Sequence, residues 1–288
     1  MERRTRSYLQ LIKPGITLSN TMTAAAGFML AASHFGFSWS RFIGAIGGVA
    51  LVIASACVAN NILDRDIDAR MKRTNGREIA AGKISPQVAA VYAGVLGLVG
   101  FYLLMTLTNN LTAMLGAISY VWYVVIYGAA KRSTPLSTII GAVCGALPPM
   151  AGYVAVTGHI DATAWVLFWV LMVWQLPHFY AISIWRADDY REVGLPVWSV
   201  LLGVESTKAQ ILFWTVAFVM VAPLLTVTSA AGTTYLAVMV AVGIYWVTQG
   251  FAYYHREDDV RWAKRMFGIS LVALLVLCAA MSVGGYLP

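Results

Sequence analysis

The sequence predicts an all-α integral membrane protein that crosses the bilayer nine times. Three observations predict it: the composition, the spacing of the apolar runs, and the side on which the basic residues fall. Of 288 residues, 59% are apolar and only 11% charged, and the mean hydropathy is +0.72. A soluble domain holds about 45–50% apolar and about 25% charged residues. The chain is not disordered, since it has ample apolar surface to bury. Nor is it a disulfide scaffold, because Cys57, Cys144 and Cys278 are scattered through apolar runs.

A membrane helix needs about 20 mainly apolar residues to cross about 30 Å of hydrocarbon. Nine stretches qualify, at 15–33, 42–63, 88–107, 111–129, 137–157, 163–185, 209–228, 233–252 and 266–286. Pro14 and Pro86 stand where a first helical turn begins, and Ser85 suits the N-cap before Pro86. The first stretch starts too late, and without a small-residue cleavage site, to be a removable signal peptide. The whole of 1–288 is expected to form a single membrane domain.

With nine crossings the termini lie on opposite faces. One side receives Arg3, Arg4, Arg6 and Lys13, the 64–87 connection with Arg65, Arg70, Lys72, Arg73, Arg77 and Lys83, and then Lys131 and Arg132. It also receives Arg186, Arg191 and Lys208, and finally Arg256, Arg261, Lys264 and Arg265. Of the 20 Lys and Arg residues, Arg41 alone falls on the other side. Basic loops stay in the cytoplasm, so the N-terminus is expected inside and the C-terminus outside. The net charge of +7 would suggest nucleic acid as a partner of a soluble protein. Placed along a bilayer surface it does not, and the partner expected is the bilayer.

The outside connections are short, whereas 64–87 and 186–208 on the inside are long and hold eight of the 13 acids. Loops of that length are uncommon unless functional or disordered, and these are too apolar to be disordered. The first holds Asn60, Asp64 and Asp68 at intervals of four, one stripe if the helix continues. Neighbours on such a stripe have Cβ atoms about 5–6 Å apart. That is wide for a chelate around one ion but suits carboxylates sharing Mg²⁺ with a diphosphate, since Mg²⁺ takes one or two carboxylates, waters and phosphate oxygens. Asp66 falls on the opposite face, where pairing with an Arg is expected. Interfacial charges can also simply cap a membrane helix, but a row of acids at a helix C-terminus opposes the dipole and demands compensation.

The second long loop repeats the device. After Trp174-Gln175-Leu176-Pro177-His178 the chain reaches Arg186-Ala187-Asp188-Asp189-Tyr190-Arg191-Glu192, with Asp188 and Glu192 four apart. Two such rows facing each other among Arg and Lys would clamp a metal-bound diphosphate. His178 lies about 15 Å deeper than Asp188 at about 1.5 Å per residue. It either hydrogen-bonds another helix or binds a buried ligand, for instance as an axial ligand to haem iron. Lys131 and Arg132 fit interfacial anchoring and diphosphate binding equally. The Leu147-Pro148-Pro149 string is expected to break the fifth helix beside a cavity, and Pro177 to kink the sixth.

These residues carry a resemblance. The stripe Asn60, Asp64, Asp68 resembles the first aspartate-rich motif of the UbiA superfamily of intramembrane prenyltransferases. Longer strings resemble its branch of protohaem IX farnesyltransferases (haem O synthases): Asn61 to Asp68 with Met71-Lys72-Arg73-Thr74, Lys131-Arg132-Ser133-Thr134, Gly145 to Pro149, and Trp174 to Tyr190 with Gly194-Leu195-Pro196. Two departures stand out: Glu192 would replace the last Asp of the second motif, with Asp188 and Asp189 both able to align, and Arg77-Glu78 replaces the branch's common Arg-Pro. The resemblance implies nine helices around a central cavity open to lipid, capped by polar loops on the cytoplasmic side of the cell (inner) membrane. It implies Mg²⁺ as cofactor, and farnesyl diphosphate and haem B as substrates. Haem O would be the product, with a haem A synthase or terminal oxidase assembly proteins as further partners.

On that basis Asn60, Asp64, Asp68, Asp188 and Glu192 form the catalytic set, with Asp64, Asp68, Asp188, Asp189 and Glu192 as metal ligands. Arg70, Lys72, Arg73, Arg77, Lys131, Arg132 and Arg186 bind diphosphate, and His178 binds haem. Other readings remain in view at this point. Prenylation of a quinone precursor or chlorophyll-type acceptor would share the carboxylates and differ only at the acceptor end. A phosphatidyl-type alcohol transferase expects Asp-Gly before Ala-Arg, where this chain has Asp68-Ala69-Arg70. A secondary transporter keeps ionisable groups near the midplane, whereas these acids cluster at the inner interface.

Overall fold

A computed structural model describes residues 2–288; the side chains of Arg3 and Arg4, part of the expected basic tail, lie outside the described residues. A short amphipathic helix α1 (Glu2–Leu11) precedes α2 (Pro14–Phe35), α3 (Trp39–Leu63) and the single turn-and-a-half α4 (Arg65–Arg70). Then follow α5 (Pro86–Leu107), α6 (Asn110–Ser133), α7 (Ser137–Thr157), α8 (Ala162–Trp185), the short α9 (Ala187–Glu192), α10 (Gly203–Val227), α11 (Thr233–Ala252) and α12 (Asp259–Gly284). Among the described residues no strand occurs.

Eight of these helices, α3, α5 to α8 and α10 to α12, are long and apolar enough to cross a membrane. The remaining expected stretch is α2, a helix of 22 residues whose first half carries Thr17, Ser19, Asn20, Thr21 and Thr23. Two starts move towards the N-terminus. The helix expected from 209 begins at Gly203, and that expected from 266 begins at Asp259. As a result Lys208 is no loop residue: it is 2% exposed, with Nζ 2.9 Å from both Asp259 Oδ1 and the Tyr254 carbonyl, under the Tyr254 ring. The burial of its aliphatic stem and the pairing of its ammonium replace the water that a loop lysine would have.

Local chemistry sets the starts. Ser85 Oγ accepts from Val88 N with Pro86 following it, Asn109 accepts from Thr112 N at 2.8 Å, Asp161 from Ala164 N at 2.9 Å, and Asp258 from Arg261 N at 3.0 Å. Each satisfies an N–H that has no partner within the helix.

The expected break at Pro148-Pro149 does not occur: α7 runs from Ser137 to Thr157 through both prolines. Pro148 leaves the Cys144 carbonyl without its helical donor, and Ser119 Oγ of α6 supplies one at 3.2 Å. Helix α8 likewise continues through Pro177. Tight seams hold these helices. A Cβ on Gly27 would collide with the Pro149 carbonyl and one on Gly152 with the Ala24 carbonyl, so α2 and α7 meet backbone to backbone. The main core is built from Phe28 and Leu30 of α2, Met150 and Val154 of α7, Leu167 and Tyr180 of α8, and Trp262 and Leu277 of α12. A smaller core of Leu11, Val58, Ile79, Ile84, Ala89 and Ala93 seats the loop after α4 on α3 and α5.

Candidate active site

Helix α3 ends at Leu63, and Asp64 departs from helical torsions at φ −93° and ψ 1°. The hydrogen-bond ladder nevertheless survives the join. Asp64 N donates to Asn60 O at 2.9 Å and Asp68 N to Asp64 O at 2.8 Å, so the stripe is kept across two helices. All three side chains are buried, at 3%, 7% and 5% exposure. Burying carboxylates requires partners, and each finds a cation. Lys131 Nζ and Arg132 Nη2 bind Asp64, the latter at 3.3 Å. Arg77 Nη1 lies 2.8 Å from both oxygens of Asp68. Arg132 also reaches Asp66 at 3.2 Å and the Leu63 carbonyl at 2.7 Å, which ties the end of α6 to the end of α3. The Arg132 hydrogen bond holds the Asp66 carboxyl below the usual carboxylate range.

The second cluster divides. Asp189 is turned inward, 3.8 Å from Arg73 and 3.6 Å from Arg186, and its Oδ2 is buried without a hydrogen bond. Glu192 pairs with Lys72 at 3.5 Å. These contacts join the loop after α4 to α9. Asp188 points away: its side chain is 98% exposed and pairs with Arg191 at 2.5 Å. Arg70 also stays outside the cluster, with Nε 3.3 Å from its own helix at the Asp66 carbonyl.

Three contributors escaped the sequence reading. Lys13, assigned only to the basic tail, reaches Asn60 Oδ1 with Nζ at 2.7 Å, leaving Asn60 Nδ2 buried without a partner. Burial pushes the Lys13 ammonium down to about 8. Tyr190 lies among Arg73, Asp189 and Arg186, and burial raises its phenol. In α6 the segment Trp122–Tyr127 is wound as a π-helix, which stacks Tyr123 on Tyr127 at 5.6 Å beneath Lys131. Such windings mark functional positions often, but nothing in residues 122–127 announces one; only the Lys before Pro14 was a visible signal.

No three His, Cys, Asp or Glu side chains among the described residues are gathered closely enough to hold a metal ion by themselves. Arg73 and Lys72, from the loop that follows the first row, pair with Asp189 and Glu192 of the second. The hard oxygen donors in both rows, and Asp189 Oδ2, which accepts no hydrogen bond, fit an Mg²⁺ that keeps waters and phosphate oxygens in its shell. His178 stands apart, in α8, with Nδ1 2.8 Å from Ser270 Oγ of α12 and its ring stacked on Trp174.

A family model described as the UbiA prenyltransferase family matches residues 20–280. The chain belongs to that family. It is 42% identical over 284 residues to the protoheme IX farnesyltransferase of Salmonella arizonae, covering 98% of this chain and 96% of the relative. It is 41% identical, with the same coverage, to the protoheme IX farnesyltransferase of Escherichia coli O1:K1 / APEC. Among solved structures, digeranylgeranylglyceryl phosphate synthase superposes with a TM-score of 0.81 at 18% identity, covering 99% of each chain. A UbiA homolog from Archaeoglobus fulgidus bound to GPP and Mg²⁺ superposes with a TM-score of 0.70 at 15% identity, covering 96% of this chain and all of that one. Those two likenesses share the fold of a UbiA prenyltransferase with this chain.

Proposed function

We propose that this protein is a protohaem IX farnesyltransferase, which moves the farnesyl group of farnesyl diphosphate onto a vinyl group of haem B to give haem O. The observation that carries the reading is 42% identity over 98% of the chain to relatives of that name. The site's chemistry agrees: the buried carboxylates Asp64 and Asp68 and the basic side chains of Arg77, Lys131 and Arg132 meet at the ends of α3 and α6, as a metal diphosphate requires.

Asp64, Asp68, Asp189 and Glu192 would hold Mg²⁺, with Asp189 and Glu192 rather than Asp188 serving from the second cluster. When bound, Mg²⁺ supplies positive charge opposite the departing diphosphate. Lys131, Arg132, Arg77, Arg73, Lys72 and Arg186 bind diphosphate oxygens, and Asn60 Nδ2, buried and unpartnered, donates to one. Charge set in place before the reaction stabilises the leaving anion as it develops. The C1–O bond breaks with its electron pair going to diphosphate. C1 bonds to the terminal carbon of the vinyl group, water adds to the cation so formed, and loss of one proton leaves the hydroxyl. The apolar helices around the site would keep water from the allylic cation before it meets the vinyl group. His178 holds the haem by its iron.

The chain forms one membrane domain over 1–288, with α2 as a ninth span, capping loops 64–87 and 186–208 on the cytoplasmic side of the inner membrane, and the C-terminus outside. The arrangement of nineteen basic residues on one side supports this. Its product would pass to a haem A synthase or to terminal oxidase assembly. The test is expression in cells lacking haem O, with mass analysis of extracted haem, beside membranes given farnesyl diphosphate and an aromatic acid. A farnesylated, hydrated haem is expected. Prenylated aromatic acid without farnesylated haem would overturn the assignment.

A further inference from the structure

The surroundings of His178 determine where its ring carries its proton. The imidazole lies between Trp174, at 5.2 Å and 27°, and Phe267 of α12, at 4.6 Å and 32°. Its Nδ1 is 2.8 Å from Ser270 Oγ, and the same hydroxyl lies 2.6 Å from the Phe267 carbonyl. A serine hydroxyl has one proton, and a carbonyl can only accept. The Ser270 proton therefore points to Phe267 O, and the contact with His178 needs a proton on Nδ1. In neutral imidazole this leaves the lone pair on Nε2. Nε2 has no hydrogen-bond partner among the described residues, and His178 is only half-buried. Two aromatic rings pack against the imidazole and its Nδ1 edge is taken, so the Nε2 edge is what the residue offers to a ligand. Ser270 also accepts Trp174 Nε1 at its backbone carbonyl at 2.8 Å, which fixes the stacking partner from the same residue.

We propose that Ser270 is a positioning residue. It locks His178 in the Nδ1–H form, so that Nε2 presents its lone pair to the iron of the haem substrate. The proposal rests on the reading of haem as the prenyl acceptor. Histidines that ligate metals generally donate their second N–H to a fixed acceptor, and loss of that acceptor typically costs 10–100-fold in affinity. Removing the hydroxyl frees the ring to carry its proton on Nε2, the form that cannot bind iron through that nitrogen. The backbone hydrogen bond to Trp174 does not depend on the side chain, so Ser270→Ala leaves that support in place.

The test uses the full chain in lipid nanodiscs, titrated with ferric haem B and followed by Soret and visible absorption. Calorimetric binding of farnesyl diphosphate reports that each variant is folded. The wild type should give a histidine-ligated spectrum. Ser270→Ala should weaken haem binding at least tenfold and shift the bands away from that spectrum, and Ser270→Thr should restore both. His178→Ala should lose the bands, with farnesyl diphosphate binding retained in all three variants. Ser270→Ala with wild-type bands and affinity within twofold would overturn the proposal. So would His178→Ala that keeps the bands, although farnesylated haem from cells would then still uphold the activity. A wild type with neither haem bands nor farnesylated haem product would overturn both.

Discussion

Replacing Asp64 by Asn changes the charge of the site while keeping its shape, and the consequence can be worked from the ion pairs. Asp64, Asp66, Asp68, Asp189 and Glu192 are matched there by Lys72, Arg73, Arg77, Lys131, Arg132 and Arg186. Five anions stand against these six cations and Lys13, which lies beside Asn60, and this leaves a small positive surplus of two. A prenyl diphosphate brings about three negative charges, which that surplus alone cannot balance and one divalent cation can. Diphosphate and Mg²⁺ should therefore each bind weakly alone and tightly together. Asp64→Asn raises the surplus by one unit. A unit charge about 8 Å from the diphosphate is worth about 2 kcal/mol at an effective dielectric near 20, or roughly a thirtyfold change in affinity. In EDTA the variant should thus bind a non-ionising thiolo analogue of farnesyl diphosphate up to about thirtyfold more tightly than wild type. With Mg²⁺ present its turnover should fall by about 10²–10³, as when one stabilising group of a developing anion is removed, and added Mg²⁺ should restore it only in part. Calorimetry in EDTA and in Mg²⁺, beside single-turnover product analysis, measures both effects. Unchanged metal-free affinity together with undiminished turnover would refute the reasoning.

Other consequences follow from individual contacts. Asp189→Ala should lower kcat/KM at least tenfold more than Asp188→Ala, because only Asp189 faces Arg73 and Arg186; side-by-side kinetics decide it. Lys13 loses its proton near pH 8 because burial disfavours its charged form, so diphosphate affinity should fall as pH rises through 8, and Lys13→Arg should abolish that fall. Unfolding cannot mimic this: between about 8 and 10.5 the unfolded chain binds the extra proton, so this lysine makes the folded state more stable as pH rises. Lys208→Met should leave kcat per folded molecule intact and cost about 1–3 kcal/mol of stability, read as a lower Tm, since Asp259 and the Tyr254 carbonyl lose their donor. Gly27→Leu should prevent accumulation of folded protein in membranes, since Cβ would occupy the position of the Pro149 carbonyl.

The helices were legible because a bilayer imposes a length: each of the nine apolar stretches has a helix over it, with bounds displaced by a few residues at most starts. The two larger displacements have one cause. Lys208, Lys264 and Arg265 look like loop residues to a hydropathy reading, yet each sits within a helix: Lys208 is buried against Asp259, and Arg265 pairs with Glu257 at 2.5 Å. The candidate site was half legible. Spacing by four located Asn60, Asp64 and Asp68, because backbone hydrogen bonds carry that period across the Leu63–Asp64 join. Spacing could not choose between Asp188 and Asp189, whose separation depends on how the short α9 turns after Arg186. Nor could it reveal the π-wound turn under Lys131, or the reach of Lys13 to Asn60, a contact between distant segments.

The arrangement also explains why an anion stands where the helix dipole opposes it. Asp64 lies at the C-terminal end of α3, an unfavourable place for negative charge, whereas Asp68 sits in the first turn of α4. Lys131 and Arg132 occupy the C-terminal end of α6, where the dipole favours them. The Asp64–Lys131 and Asp64–Arg132 pairs bring the two ends together, so the favourable terminus offsets the unfavourable one. A stable pair of hydrophobic residues would hold these helices equally well, but would leave nothing for a diphosphate to exchange with. On the proposed reading, each carboxylate would give up its cation to the diphosphate as it takes a metal ion. The count of charged contacts would be kept, and the helix ends would stay joined while their partners change. On this account a hydrophobic replacement of the pair, Asp64→Leu with Lys131→Met, should insert into membranes and melt no lower than wild type while losing diphosphate binding altogether. A double variant that melts well below wild type would show that the ion pair serves the fold first.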